Sequence, residues 1–424
     1  MKSIKALLLF AIAVYHAALL SSCSSDTRHR TVVCIPVYGQ SLALGEEAIR
    51  ITNFDSLELN YDGRIVTECL DYGFGFIDDN IYKQKLKKLL NYNKRSFELS
   101  VYGMAESLAR QLGNDTIICI FPGGKGMSSI DTICKPNDIY FKFLKEVKNA
   151  YESSKDKEWD FYVPAICWMQ GESDIIDFPE NDYEQKLKQF QKDVNNDIKA
   201  ITGQKEDIRM ICYQSNLLTQ SAHYQPNAYD CKVTKMPQAI VNLLSTDSLF
   251  WASGPTYPYT FVNEYLHIDG TSQKRIGNLH AIAALKIIRG EEKVYGLIPR
   301  STSVEGTDIL VHFKVPHPPL VFDTVAIKPA KHYGFSIIDK EGKDIVKDVI
   351  IEADHVRIKC TSIPNECKIR YAVNGEIKKS GHERGPRGNL RDSQGDSLSV
   401  TIERKSYPLY NWCYQFDIPI SFTQ

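Results

Sequence analysis

The chain has 424 residues, about three times a typical domain length, so two or three domains are expected. Hydrophobic residues make up 43%, charged residues 24% and aromatics 11%, an ordinary globular composition that excludes a largely disordered or fibrous protein. Lys+Arg 51 against Asp+Glu 52 leaves a net charge of -1, so no basic surplus points to nucleic acid as a partner.

The N-terminus reads as a targeting segment. Lys2 and Lys5 precede an apolar stretch from Ala6 to Leu20 that is too short to span a bilayer comfortably. It ends in Leu20-Ser21-Ser22-Cys23, which resembles a bacterial lipobox. That resemblance implies cleavage before Cys23 and a lipid on Cys23, giving an exported protein, periplasmic or at the cell surface, whose only membrane contact is the anchor. A plain secretory signal and an uncut anchor are the alternatives, and both also place the protein outside the cytoplasm.

Four apolar runs follow, each closed by turn residues: Thr31–Tyr38, Thr116–Phe121, Phe161–Trp168 and Ile208–Tyr213. Continuous apolarity, without alternation, predicts strands buried on both faces, hence a parallel sheet. Helical recurrence marks Glu98–Leu112, Asp138–Tyr151, Asp182–Ile201 and a closing helix at Ser272–Arg289. Strand–helix alternation of this kind predicts a doubly wound, three-layer α/β/α domain over residues 30–293. The Lys- and Leu-rich stretch Ile81–Arg95 reads as a helical insertion or a solvated loop.

After Pro299 the pattern changes. Asp308–Val315, Thr324–Ile327, Val356–Cys360 and Cys367–Val373 are short, β-branched and separated by turn residues. They predict a smaller all-β, sandwich-like module over residues 299–424. Of eleven cysteines, Cys34, Cys119, Cys167 and Cys212 sit in apolar runs and read as small buried hydrophobes. Cys360 with Cys367, and Cys134 with Cys231, are the pairs an oxidising compartment could join. No CxxC pair or clustered His/Cys spacing supports a metal site, and no cofactor is called for.

In open α/β sheets, ligands bind beyond the carboxyl ends of the strands. The residues immediately after the apolar runs are Gly39-Gln40-Ser41, the glycine-rich loop Gly123–Ser129, and Met169-Gln170-Gly171-Glu172-Ser173-Asp174; Glu264-Tyr265-Leu266-His267 comes late. A serine, a source of backbone amides, a side-chain amide and a histidine are the inventory of serine hydrolysis. The loop at Gly123–Ser129 is not a phosphate-binding loop, because Gly126, not Ser or Thr, follows Lys125.

These blocks resemble those of the SGNH/GDSL hydrolases, which have a flavodoxin-like fold. The nearest branch is that of the sialate O-acetylesterases and acetyl-xylan-esterase-like carbohydrate esterases. Gly39-Gln40-Ser41, the loop from Gly124 to Ile130, Trp168 to Ser173, and His267-Ile268-Asp269-Gly270 followed by Gly277 stand in the family order. The resemblance implies a serine esterase that removes O-acetyl groups from an acetylated carbohydrate through an acetyl-enzyme. It casts Ser41 as nucleophile and His267 as base, with the Ser41 amide, Gly124 or Gly126 and the Gln170 side chain at the oxyanion. Each oxyanion donor is typically worth about 2.7–4 kcal/mol of the barrier. The acid three residues before the histidine is commonly Asp in the family, whereas here it is Glu264. Glu172, expected chiefly to brace the loops, a Ser–His dyad, or, less favourably, Asp269 are the alternatives. Two further functions stand beside this one: a short-chain esterase on non-sugar esters, and a non-catalytic glycan-binding lipoprotein. The loop His382–Asp396, with Arg384, Arg387 and Arg391, reads either as a carboxylate contact or as a solvated loop held by its own ion pairs. Trp251, Tyr257 and Tyr259 read equally as a sugar-stacking wall or as core.

Overall fold

The computed structural model describes residues 29–61, 63–67, 87–88, 97–179, 181–220, 235–263, 265–362 and 366–420. Cys23, Cys231, Glu264 and nearly all of Ile81–Arg95 therefore lie outside the described residues. Among the described residues no helix is long and apolar enough to cross a membrane.

Three of the apolar runs form two strand segments each. The first gives β1 (Thr31–Cys34) and β2 (Val37–Gly39). After α1 (Phe54–Tyr61), β3 (Ile65–Thr67), β4 (Lys87–Lys88) and α2 (Ser100–Gln111), the second gives β5 (Thr116–Cys119) and β6 (Pro122–Gly124). Short α3 (Ile130–Ile133) and long α4 (Asp138–Lys155) lead to β7 (Asp160–Tyr162) and β8 (Ala165–Met169). Pro36 and Pro164 sit at two of the breaks; proline has no N–H to give the ladder, so each run is interrupted there without leaving the sheet. Next come α5 (Glu172–Asp177), α6 (Tyr183–Thr202), β9 (Arg209–Gln214), α7 (Lys235–Thr246) and β10 (Phe250–Pro255). The small hairpin of β11 (Phe261–Val262) and β12 (His267–Ile268) precedes α8 (Gly270–Ile288).

The strands pair in the orders β4-β3-β5-β1-β7 and β10-β9-β8-β2-β6. Because β1/β2, β5/β6 and β7/β8 are successive lengths of the same rows, the two sets continue one another. All pairs in them are parallel except β3 with β4. Val32 and Val33 face opposite sides, one packed with Phe143 of α4 and Phe190 of α6, the other with Met104 of α2 and Ile276 of α8. This is the predicted three-layer arrangement. Helices α2 and α8 meet at glycines: a Cβ on Gly277 would lie 2.1 Å from the Ser100 carbonyl oxygen, so the motif glycine at 277 serves packing, not chemistry.

From β13 (Pro299–Glu305) onward the strands are antiparallel. β13, β14 (Asp308–Phe313), β17 (Val346–Glu352) and β18 (His355–Cys360) form one sheet, ordered β13-β14-β18-β17. β16 (Phe335–Ile338), β19 (Lys368–Tyr371) and β23 (Phe416–Pro419) form another, with two-stranded pairs β15 (Val321–Phe322) with β20 (Leu390–Arg391) and β21 (Ser399–Ile402) with β22 (Lys405–Pro408) beside them. Thr324–Ile327 is a turn, not the expected strand, because the Asp323 carboxylate accepts hydrogen bonds from the Val325 and Ala326 amides and curls the chain. No disulfide joins Cys360 and Cys367, so the pairing that an oxidising compartment could make is not formed. Nor is the β-rich part a separate body, since Tyr257 and Leu297 share one apolar core with Ile309, Phe335, Tyr371 and Trp412.

Candidate active site

Close backbone approach gathers the loops beyond the strand ends. A Cβ on Gly39 would lie 1.9 Å from the Met169 carbonyl oxygen, and one on Gly124 1.8 Å from the Gly39 carbonyl oxygen. Gly124 also has φ +112, which glycine alone adopts readily. The Gln40 amide donates to Met169 O at 3.0 Å and the Lys125 amide to Gly39 O at 3.1 Å. The three strand-end blocks are thereby locked side by side.

Ser41 opens a tight turn, not a helix. Its carbonyl accepts from the amides of Leu44 (3.1 Å) and Glu46 (3.0 Å), and the residue is buried. It is therefore no helix cap. Among the described residues the Ser41 hydroxyl, the Ser41 amide and the Gly126 amide enter no hydrogen bond. Gly126 lies alongside: a Cβ built on it would stand 4.0 Å from Ser41 Cβ.

The turn ends at Glu47, in left-handed conformation (φ 63). Its Oε2 lies 2.8 Å from His267 Nδ1. The hydrogen bond to His267, supported by the Asn263 side chain, holds the Glu47 carboxyl below the usual glutamate range. His267 Nε2 is buried and has no partner among the described residues. An imidazole oriented through one nitrogen with the other free is arranged to accept a proton. Glu47, which no motif marks, is the carboxylate that the structure pairs with His267. Asp269 is spent elsewhere: its Oδ1 accepts from the Ser272 amide at 2.7 Å and caps α8.

The remaining polar residues brace. Gln170 Nε2 lies 2.6 Å from Asp174 Oδ2, 3.0 Å from Ser128 O and 3.2 Å from Gln40 Oε1. An amide has two hydrogens, so these acceptors use the donor that was expected at the oxyanion. Asp174 also accepts from the Ile130 amide at 2.9 Å, tying the glycine-rich loop to α5, and burial raises its pKa. Glu172 accepts from the Tyr213 hydroxyl, and burial pushes its carboxyl up. Buried Glu98 accepts from the amides of Ile51 (2.9 Å) and Thr52 (2.8 Å), while its own amide donates to Ala48 O at 2.8 Å. That holds the segment just after Glu47.

The other candidates are structural. Arg391 pairs with Asp323 at 2.7 Å beneath the Tyr410 ring, and Arg387 donates to the carbonyls of Lys328 and Pro329. The loop His382–Asp396 is thus anchored largely on residues outside it, at 323–329 and Tyr410, rather than by ion pairs of its own. Trp251, Tyr257 and Tyr259 are buried in the core.

Residues 90–286 match the profile of a family described as carbohydrate esterase, sialic acid-specific acetylesterase. Ser41 precedes that span, whereas Gly124, Gly126, Gln170 and His267 fall within it. No curated protein matches the sequence. Among solved structures, a carbohydrate acetylesterase from Xanthomonas citri is similar at 15% identity and a TM-score of 0.58, covering 91% of this chain and 80% of its own. A protein from Arabidopsis thaliana overlaps at 16% identity and a TM-score of 0.41, over 61% of this chain and 98% of that one. NanS overlaps at 14% identity and a TM-score of 0.41, over 62% and 99%. Residues 90–286 are thus similar to the sialic acid-specific acetylesterase family of carbohydrate esterases, carboxylic ester hydrolases that act on carbohydrate acetyl groups.

Proposed function

We propose that the chain removes O-acetyl groups from glycans by a serine acyl-enzyme route, with Ser41 as nucleophile, His267 as base and Glu47 as the orienting acid. The observation that carries this reading is the Glu47–His267 hydrogen bond, which leaves Nε2 buried and unpartnered at the loop that begins with Ser41. Ser41 Oγ attacks the acetyl carbonyl carbon and its proton passes to His267 Nε2. The resulting oxyanion faces the free amides of Ser41 and Gly126. Collapse expels the sugar oxygen, which takes the proton from the imidazolium, and leaves acetyl on Ser41. Water then gives its proton to the same nitrogen as its oxygen attacks the acetyl carbon; collapse breaks the bond to Ser41 Oγ, which takes the proton back from the imidazolium, and acetate leaves. Glu47 Oε2 holds Nδ1–H throughout and stabilises the imidazolium.

The test is hydrolysis of p-nitrophenyl acetate, butyrate and octanoate by wild type and Ser41→Ala. The expected result is preference for acetate and a loss on the order of 10³-fold or more in the variant. Equal inactivity of both proteins, with no fluorophosphonate labelling of Ser41, would overturn the mechanism and leave a glycan-binding protein.

A further inference from the structure

We propose that the β-rich part carries a binding site for a zinc-type divalent transition cation, formed by His312, His355 and Asp354. His312 on β14 and His355 on β18 are direct partners in the antiparallel register, so their side chains leave the sheet on the same face. Their ring centroids lie 5.0 Å apart. Asp354 stands in the two-residue turn joining β17 to β18. Its carbonyl accepts from the Phe313 amide at 3.1 Å, which fixes the turn against β14. Ligand atoms of all three residues lie within 4.8 Å of one another.

The chemistry of the set selects the ion. Imidazole suits zinc, copper and nickel, while calcium and magnesium want oxygen shells. Zn–N and Zn–O bonds of about 2.0–2.2 Å place tetrahedral ligands roughly 3.3 Å from one another. Asp354 Oδ1 lies 3.3 Å from His355 Nδ1, while on the other side of the ring Glu352 Oε2 lies 3.1 Å from Nε2 and its Oε1 is held by Arg357 Nε at 2.8 Å, so Glu352 orients the imidazole from the nitrogen that faces away from Asp354. Arg357 also reaches Glu305 at 3.0 Å and Asp308 at 3.4 Å, so its charge is neutralised by carboxylates beside the histidines. The bound cation would clamp the β17–β18 turn to β14. The two histidines are 43 positions apart in sequence, so no spacing motif announces them, and neither takes part in the Ser41 chemistry.

The test is calorimetric titration of zinc into the full chain, freed of affinity tag and stripped of metal. One saturable equivalent is expected, weakened at least tenfold in His312→Gln and in His355→Gln and unchanged in His332→Gln, a histidine elsewhere in the same part of the chain. Absence of saturable binding, or binding that survives the double variant His312→Gln/His355→Gln, overturns the proposal. Should those variants fail to fold, the cupric form of the His267→Ala protein decides by paramagnetic resonance. Two equivalent nitrogen ligands support the site, and none or one overturns it.

Discussion

At the scale of single residues, the orienting acid is the point on which sequence and structure part. Ser41 and His267 were visible as candidates because chemistry at a strand end needs few residue types in a fixed order. Glu47 was not, because its pairing with a residue 220 positions away depends on a turn that no motif encodes. Glu264 stands out in the sequence because proximity to the histidine is visible there and three-dimensional reach is not. Glu47→Gln is expected to lower kcat on the order of 10²-fold or more while leaving KM nearly unchanged, because it removes the partner of the imidazolium formed only during reaction. Glu47→Asp should recover part of the loss. If Glu264→Gln has the large effect and Glu47→Gln has none, the acid is Glu264. The stability contribution of the Glu47–His267 pair is small, at most about 1 kcal/mol, since the Glu47 side chain is 43% exposed. Its sign is set by the lowered carboxyl: present above the usual glutamate range near 4.3, it is lost as pH falls through the lowered pKa.

At the scale of elements, the long helices and buried strands followed from periodicity, and their ends fell where local rules intervene. Two strand runs broke at Pro36 and Pro164, and the expected strand at Thr324–Ile327 became a turn because one carboxylate, Asp323, offered its amides better partners. Apolar pattern carries no information on such side-chain acceptors. The same blindness hides a charged-residue liability in α8. His280 is fully buried with neither ring nitrogen partnered among the described residues, and burial pushes its pKa down to about 3. In the unfolded chain the imidazole titrates near 6.5, so between pH 6.5 and about 3 the unfolded state binds the extra proton. Stability is full above 6.5 and declines by about 1.4 kcal/mol per pH unit below it. His280→Leu should therefore gain on wild type as pH falls from 7 to 5, read from urea midpoints of the two proteins. An unchanged gap between them would show that His280 is not the proton acceptor.

At the scale of the whole molecule, the change of pattern near Pro299 marks where parallel strands give way to antiparallel ones, and one apolar core runs across it. The seam is built of buried hydrogen bonds as well as shared apolar surface. Tyr414 accepts at its hydroxyl from the Gly254 amide at 2.6 Å, the Gln415 amide donates to Gln214 Oε1 at 2.7 Å, and the Tyr257 hydroxyl donates to Cys413 O at 2.7 Å. The Xanthomonas citri structure extends over 91% of this chain, a share the α/β part alone does not supply. The seam also leads to the site. Tyr257 precedes Thr260, whose carbonyl accepts from the Asp269 amide at 3.0 Å, and Asp269 follows the β11–β12 hairpin that presents His267. Releasing the β-rich part would uncover Tyr257 and Leu297 and loosen the support of the histidine. The expected calorimetric result is one unfolding transition, with esterase activity lost at the same temperature. A chain ended at residue 298 should be insoluble or inactive, since it exposes an apolar seam with nothing to cover it. Two resolved transitions, or a soluble truncated chain that still hydrolyses p-nitrophenyl acetate, would show instead that the β-rich part is a dispensable appendage and that His267 is held by the α/β domain alone.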